Sequence, residues 1–169
     1  MKKWILILLA ITAAVTISIF VFIPGDITVA GDKKANCPAA SISRLFETTG
    51  ALQKWWPGKI ISDPVYMYQN TKYTIPKSNS GTLSIRAVSG QLTLAGEITA
   101  IIVDRDTCAI EFRYRSLASG LNPIHKLNYY FKAIAIKKQL DSILTALKQF
   151  AEKNENIYGI SILQAKVKD

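Results

Sequence analysis

His125-Lys-Leu-Asn-Tyr-Tyr-Phe-Lys-Ala-Ile-Ala-Ile-Lys-Lys-Gln-Leu-Asp-Ser-Ile-Leu-Thr-Ala-Leu-Lys-Gln-Phe-Ala-Glu152 is the stretch on which the fold turns. Its apolar period changes partway along. Leu127, Tyr129, Phe131 and Ala133 alternate with Lys126, Asn128 and Lys132, which is strand spacing. From Ile136 the apolar positions are Leu140, Ile143, Leu144, Leu147, Phe150 and Ala151, one stripe of a helix. Burying these side chains at roughly 1.5–3 kcal/mol each yields a gross gain on the order of 10 kcal/mol. Such a helix must lie on a large apolar surface, and the strands before it supply one. The expected architecture is a sheet whose last strand feeds one long covering helix.

Working outward, residues 65 to 115 read as β. Tyr66 and Tyr68 form a short alternating piece, and Tyr73 to Ile75 another. Leu83, Ile85 and Ala87 alternate with Ser84 and Arg86, and Ser89-Gly90 is a hairpin turn. Leu92 to Val103 is a long strand, Asp104-Arg-Asp106 a turn, and Cys108, Ile110, Phe112 and Tyr114 the apolar face of a further strand. Upstream, Asp26 to Ala35 reads as the first strand. Ser41 to Thr48 reads as a helix ended by Gly50, and Leu52 to Trp56 as one more short turn before Pro57-Gly58. Leu117 to Pro123 reads as a loop, and Ile160, Ile162 and Val167 suggest a strand-like tail.

The amino end is different in kind. Trp4 to Ile23 is twenty residues without a charge, preceded by Lys2-Lys3 and followed by Pro24-Gly25-Asp26. At 1.5 Å per residue this run matches the roughly 30 Å hydrocarbon core of a bilayer. A cleaved signal peptide has a shorter apolar core and an Ala-x-Ala-like site. Neither is present, and Cys37 follows Lys34-Ala-Asn36 rather than a lipobox. The expectation is an uncleaved anchor with Lys2 and Lys3 inside, so a single-pass protein of the cell (inner) membrane with its carboxy-terminal part periplasmic or extracytoplasmic. The expected organisation is residues 1–25 as anchor, 26–153 as one folded domain and 154–169 as a short tail.

Composition agrees with a membrane association. The chain has 169 residues, is 49% hydrophobic and carries a formal net charge of +9. The cations are dispersed, with Lys33-Lys34 and Lys137-Lys138 the tightest internal pairs. A nucleic-acid interface needs a concentrated basic face, so no nucleic-acid partner is expected. Attraction to an anionic membrane surface accounts for the charge. Cys37 and Cys108 define no disulfide framework; they are either free thiols or a pair in an oxidising compartment. With one histidine, His125, no ordinary zinc cluster is available. No Ser-His-Asp or Cys-His order is recognisable, and no cofactor or catalytic residue is expected.

The order of elements, and three local patterns, resemble the helix-grip fold of the SRPBCC superfamily, which includes the START lipid-transfer domains, the birch-pollen-allergen-like proteins and the polyketide cyclase/dehydrase-like proteins. Asn36-Cys-Pro-Ala-Ala-Ser-Ile-Ser-Arg-Leu-Phe46 resembles the turn leading into that family's first helix. Leu52-Gln-Lys-Trp-Trp-Pro57 resembles its tryptophan-rich second helix. Asn122-Pro123 followed by Ile143-Leu-Thr-Ala-Leu-Lys-Gln-Phe-Ala-Glu152 resembles the end of bacterial membrane-anchored members. In some members a gyrase-inhibitor-like effector-binding domain follows, and Ile157-Tyr-Gly-Ile-Ser-Ile162 resembles its lead-in. The resemblance implies an α+β helix-grip fold, a curved antiparallel sheet wrapped on the long carboxy-terminal helix, here preceded by one transmembrane helix.

It also implies a hydrophobic small molecule or lipid held between sheet and helix. The sequence supplies the candidate lining: Phe112, Tyr114, Tyr129, Phe131, Leu140, Ile143, Leu144 and Leu147, with Trp55 and Trp56 at a cavity mouth or at the membrane interface. The same stripe also reads as a filled core. Arg86, Arg113 and Arg115 alternate to the solvated face. The expected function is a membrane-anchored, non-catalytic domain for a hydrophobic or lipid ligand. The alternatives are a cyclase/dehydrase-like enzyme of the same fold, and a structural interaction protein with a filled core.

Overall fold

The computed structural model describes residues 2–76, 81–117, 122–153 and 156. Apart from Asn156, the expected tail at 154–169, with Ile160, Ile162 and Val167, and the lead-in at 157–162 lie outside these residues, as does most of the loop after Leu117. Helix α1 spans Lys2–Phe22, and strand β1 spans Asp26–Ala35. Helices α2 (Ala39–Glu47) and α3 (Thr49–Trp55) follow. Then come β2 (Lys59–Ser62), β3 (Val65–Tyr68), β4 (Thr71–Thr74), β5 (Thr82–Ser89), β6 (Leu92–Asp104), β7 (Thr107–Leu117) and α4 (Pro123–Ala151).

The strands form one antiparallel sheet in the order β1-β7-β6-β5-β4-β3-β2. β1 and β2 therefore occupy opposite edges, and α2 and α3 carry the chain from one edge to the other. Period-two alternation places Leu83, Ile85 and Ala87, Leu94 and Ile98, and Cys108, Ile110, Phe112 and Tyr114 on one buried face. Arg86, Arg113 and Arg115 lie exposed on the other face, as the period requires. Helix α4 lies on the buried face through Ala133, Ile136, Leu140, Ile143, Leu144, Leu147 and Ala151. Its far end is tied to the end of β1 by the backbone N–H of Asn36, which donates to Glu152 Oε1 at 2.9 Å.

Two sequence expectations are corrected. Residues Leu127 to Ala133 are not a strand; they are the first turns of α4. The start signal is Asn122-Pro123. The Asn122 side chain accepts from the N–H of Ile124 (3.0 Å) and of His125 (3.4 Å), and Pro123 occupies the first helical position, where no N–H is needed. The apparent alternation arises because Leu127 and Phe131 share one helical face and Tyr129 and Ala133 another. The second correction concerns Gly50, which lies inside α3 rather than ending α2. The break falls at Thr48, whose backbone is extended and whose Oγ1 accepts from Ala51 N at 3.2 Å. Strand β2 was not legible in the sequence, because all four of its residues are exposed at a sheet edge and show no alternation.

Helix α1 is exposed along most of its length. At 21 residues it is long and apolar enough to cross a membrane. One side of its last two turns is the exception. Ile23 is buried, and Thr16 and Ile19 are half-buried, where the start of α4 packs alongside.

Candidate functional site between the sheet and the long helix

The site is built where β3, β4 and β7 face the middle of α4. Tyr66 and Tyr73 are direct partners across β3 and β4, so their side chains project together into the interior. Tyr114 enters from β7 beside Phe112, with ring centroids 6.0 Å apart. Two glycines make room for these rings. A Cβ on Gly31 would meet Phe112 Cε1 at 2.7 Å, and one on Gly96 would meet Tyr114 Cγ at 2.7 Å. Trp56, just past α3, closes the group: its centroid lies 5.2 Å from Tyr66 and 5.4 Å from Tyr73. Trp55 lies 5.9 Å from Trp56 and 6.4 Å from Phe46, and its Nε1 donates to Leu45 O at 3.3 Å. A continuous run of aromatic rings therefore leads from Phe46 through both tryptophans to the buried tyrosines.

The polar atoms of this group set it apart from an ordinary core. Tyr73 Oη donates to Gln139 Oε1 of α4 at 2.8 Å. Trp56 Nε1, Tyr66 Oη and Tyr114 Oη are all buried without a hydrogen-bond partner among the described residues. Buried donors are ordinarily paired, and an unpaired one costs about 1–3 kcal/mol. Burial raises the pKa of all three phenols, Tyr66, Tyr73 and Tyr114, with a further rise at Tyr66 from Asp63 and at Tyr114 from Tyr73. The phenols are therefore neutral donors at physiological pH.

Of the candidate lining residues, Trp55, Trp56, Phe112, Tyr114, Leu140, Ile143, Leu144 and Leu147 are all buried together. Both tryptophans thus lie inside the fold and not at a membrane interface. Tyr129 is half-buried at the edge of the core, its Oη 3.5 Å from Gln91 Oε1. Phe131 is 61% exposed and faces away from the sheet. Its placement in the lining followed from the strand reading, and the helical path turns it outward. Tyr66 and Tyr73 were not singled out from the sequence; the pairing of two four-residue strands is what joins them. His125 sits exposed on the first turn of α4, against the edge of Tyr129.

At the end of the aromatic run, a cleft of about 410 Å³ is lined by Phe46, Thr49, Leu52, Asp63, Pro64 and Ile75. It lies between α2–α3 and the β3–β4 end of the sheet. A larger groove of about 710 Å³ runs over the opposite, charged face of the sheet, past Arg86, Glu97, Glu111 and Arg113. It is shallow and open, and the buried aromatic group takes no part in it except at Tyr114.

No protein-family model matches the chain. No curated protein sequence matches it either. Solved structures do. A norcoclaurine synthase point mutant from Thalictrum flavum, in complex with a transition-state analogue, superposes with a TM-score of 0.55 at 12% identity, over 75% of this chain and 94% of that one. CalU16 from Micromonospora echinospora superposes with a TM-score of 0.51 at 12% identity, over 76% of this chain and 78% of that one. The Aha1 dimer from Colwellia psychrerythraea gives 0.51 at 12%, over 75% and 96%. At these identities the likeness is one of fold. The chain shares with these structures the helix-grip fold, an antiparallel sheet packed on one long carboxy-terminal helix.

Proposed function

We propose that this protein is a membrane-anchored, non-catalytic binding domain for a hydrophobic small molecule or lipid that carries a hydrogen-bond acceptor. The observation that carries the reading is the set of three unpartnered donors, Trp56 Nε1, Tyr66 Oη and Tyr114 Oη, in an otherwise apolar interior. An apolar ligand with a carbonyl, ester or ether oxygen among these donors satisfies them while its hydrocarbon part lies on the aromatic run. The cleft at Phe46, Leu52 and Ile75 is the mouth. The organisation that goes with this reading is an anchor over 1–25, the binding domain over 26–153 and a tail over 154–169, with the domain on the outer side of the membrane.

The non-catalytic reading is supported by the kind of polar group inside. Besides the phenols, the Trp56 indole and the thiols of Cys37 and Cys108, the buried polar side chains among the described residues are Ser41, Thr71, Lys126 and Gln139, with no carboxylate or imidazole. General acid–base work needs a group that exchanges its proton near the working pH, and the buried phenols are pushed away from that range.

The test uses the full chain, purified in mild detergent and examined by native mass spectrometry, with the bound fraction extracted and identified. A co-purifying small apolar molecule that contains an oxygen acceptor is the expected result. A chain that is empty on purification, and stays empty after incubation with a total lipid extract, would rule the binding role out.

A further inference from the structure

The start of α4 carries an apolar surface that the binding role does not use. Ile124 (75% exposed), Leu127, Tyr130, Phe131 and Ile134 are all exposed. At 100° per residue they fall within roughly 120° of arc, on the side of the helix away from the sheet. The same side further along bears the exposed Lys138 and Ser142. The apolar stripe is thus confined to the end of α4 that lies beside α1.

That end is fastened to α1. Lys126 is 9% exposed; its Nζ sits 4.9 Å from the centre of the Phe20 ring and donates to the Phe20 carbonyl at 3.5 Å. The Phe20 carbonyl needs this donor, because residue four positions on is Pro24, which has no N–H. A cation at the carboxy-terminal end of a helix also suits the helix dipole. Thr16 and Ile19 of α1 are half-buried, Ile23 just past its end is buried, and α4 packs against that end of α1 at Phe20. From Thr16 to Phe22 the partly covered side of α1 spans about 9 Å at 1.5 Å per residue. Helices that lie in a membrane interface bury their apolar faces by roughly 5–10 Å.

From this we infer that the first three turns of α4 dock into the outer leaflet beside α1, so that the domain sits on the bilayer instead of hanging from a tether. The inference rests on the reading of α1 as a membrane anchor. The occupant of the stripe is lipid, and its headgroup region is favoured to be anionic: Lys137 and Lys138 lie exposed one turn beyond the stripe, on a chain of net charge +9. One consequence for function is that the carboxy-terminal half of α4, which covers the candidate site, is held at a set height above the lipid.

The test places an environment-sensitive fluorophore on single introduced cysteines in the full chain. Cys37 and Cys108 are buried, so exposed positions label selectively. The variants are Leu127→Cys and Phe131→Cys on the stripe, Leu8→Cys in α1, and Ile102→Cys at the exposed β6–β7 hairpin as a control. Each is reconstituted in bilayers of phosphatidylcholine and phosphatidylglycerol in which the phosphatidylcholine carries brominated acyl chains. The expected result is loss of emission at Leu127 and Phe131 comparable to that at Leu8, with none at Ile102. Stripe labels as bright as Ile102, with Leu8 quenched, would overturn the docking and leave the anchor standing. An unquenched Leu8 would overturn the anchor reading and the docking with it. Unquenched stripe labels, with Phe131→Cys forming a disulfide-linked dimer on oxidation, would assign the stripe to a second copy of the chain and also overturn the inference.

Discussion

Replacing Tyr114 by Phe removes one oxygen and nothing else. In the ligand-free protein that oxygen is fully buried and has no partner among the described residues. Folding strips its water and returns no bond, an unfavourable contribution of about 1–3 kcal/mol that Phe does not incur. Tyr114→Phe should therefore stabilise the ligand-free chain by up to that amount. Tyr66→Phe should act in the same direction, since Tyr66 Oη is also unpartnered. Tyr73→Phe is the internal control. Its hydroxyl is bonded to Gln139 at 2.8 Å, so its loss leaves Gln139 Oε1 orphaned and should cost about 1–3 kcal/mol. The assay is urea unfolding of the delipidated full chain in mild detergent, followed by tryptophan emission, because Trp55 and Trp56 sit within the cluster. An unchanged slope with a shifted midpoint identifies a change in stability. Affinity for the co-purified ligand should move the opposite way, weakening in Tyr66→Phe and Tyr114→Phe. If Tyr114→Phe destabilises as much as Tyr73→Phe, its hydroxyl is already satisfied inside the protein. There is then no spare donor to recruit a ligand, and the reasoning fails.

Leu144→Trp inserts a large side chain at a fully buried position of α4 facing the sheet. It should abolish ligand uptake at a stability cost of about 1–3 kcal/mol with unchanged far-ultraviolet circular dichroism, and unaltered uptake would place the ligand elsewhere. Gly96→Ala forces a Cβ to within 2.1 Å of the Arg113 carbonyl, so β6 must shift away from β7; a marked fall in melting temperature is expected, and a change of a degree or less would contradict the close approach. Alkaline pH should destabilise the fold. Burial and the neighbouring Cys108 push the Cys37 thiol up from its ordinary 9.0 to about 12, so the folded state holds its proton longer than the unfolded one. This contribution is complete below pH 9 and is lost as pH rises toward 12, with the buried phenols acting in the same sense; the unfolding midpoint measured between pH 8 and 11 should fall, and a rise would be incompatible with neutral buried thiols and phenols.

The sequence by itself determined the apolar run of α1, the alternation of β5 to β7, and the stripe from Ile136 to Ala151. Each is a long periodic signal, and hydrophobic burial depends directly on period. It therefore also identified the apolar residues of β7, and of α4 from Ile136 onward, that pack inside. It did not determine that α4 begins at Pro123. Over so few residues, the positions Leu127, Tyr129, Phe131 and Ala133 satisfy a strand period as readily as two helical faces, and only packing against α1 and the sheet distinguishes them. That difference moved Phe131 from the interior to the surface and revealed the stripe beside α1. Tyr66 and Tyr73 lie on strands of four residues each, too short to show a period, and their meeting depends on strand register. The unpartnered donors were decided by tertiary structure alone, because whether a hydroxyl finds a partner depends on what the rest of the chain brings to within about 3 Å of it.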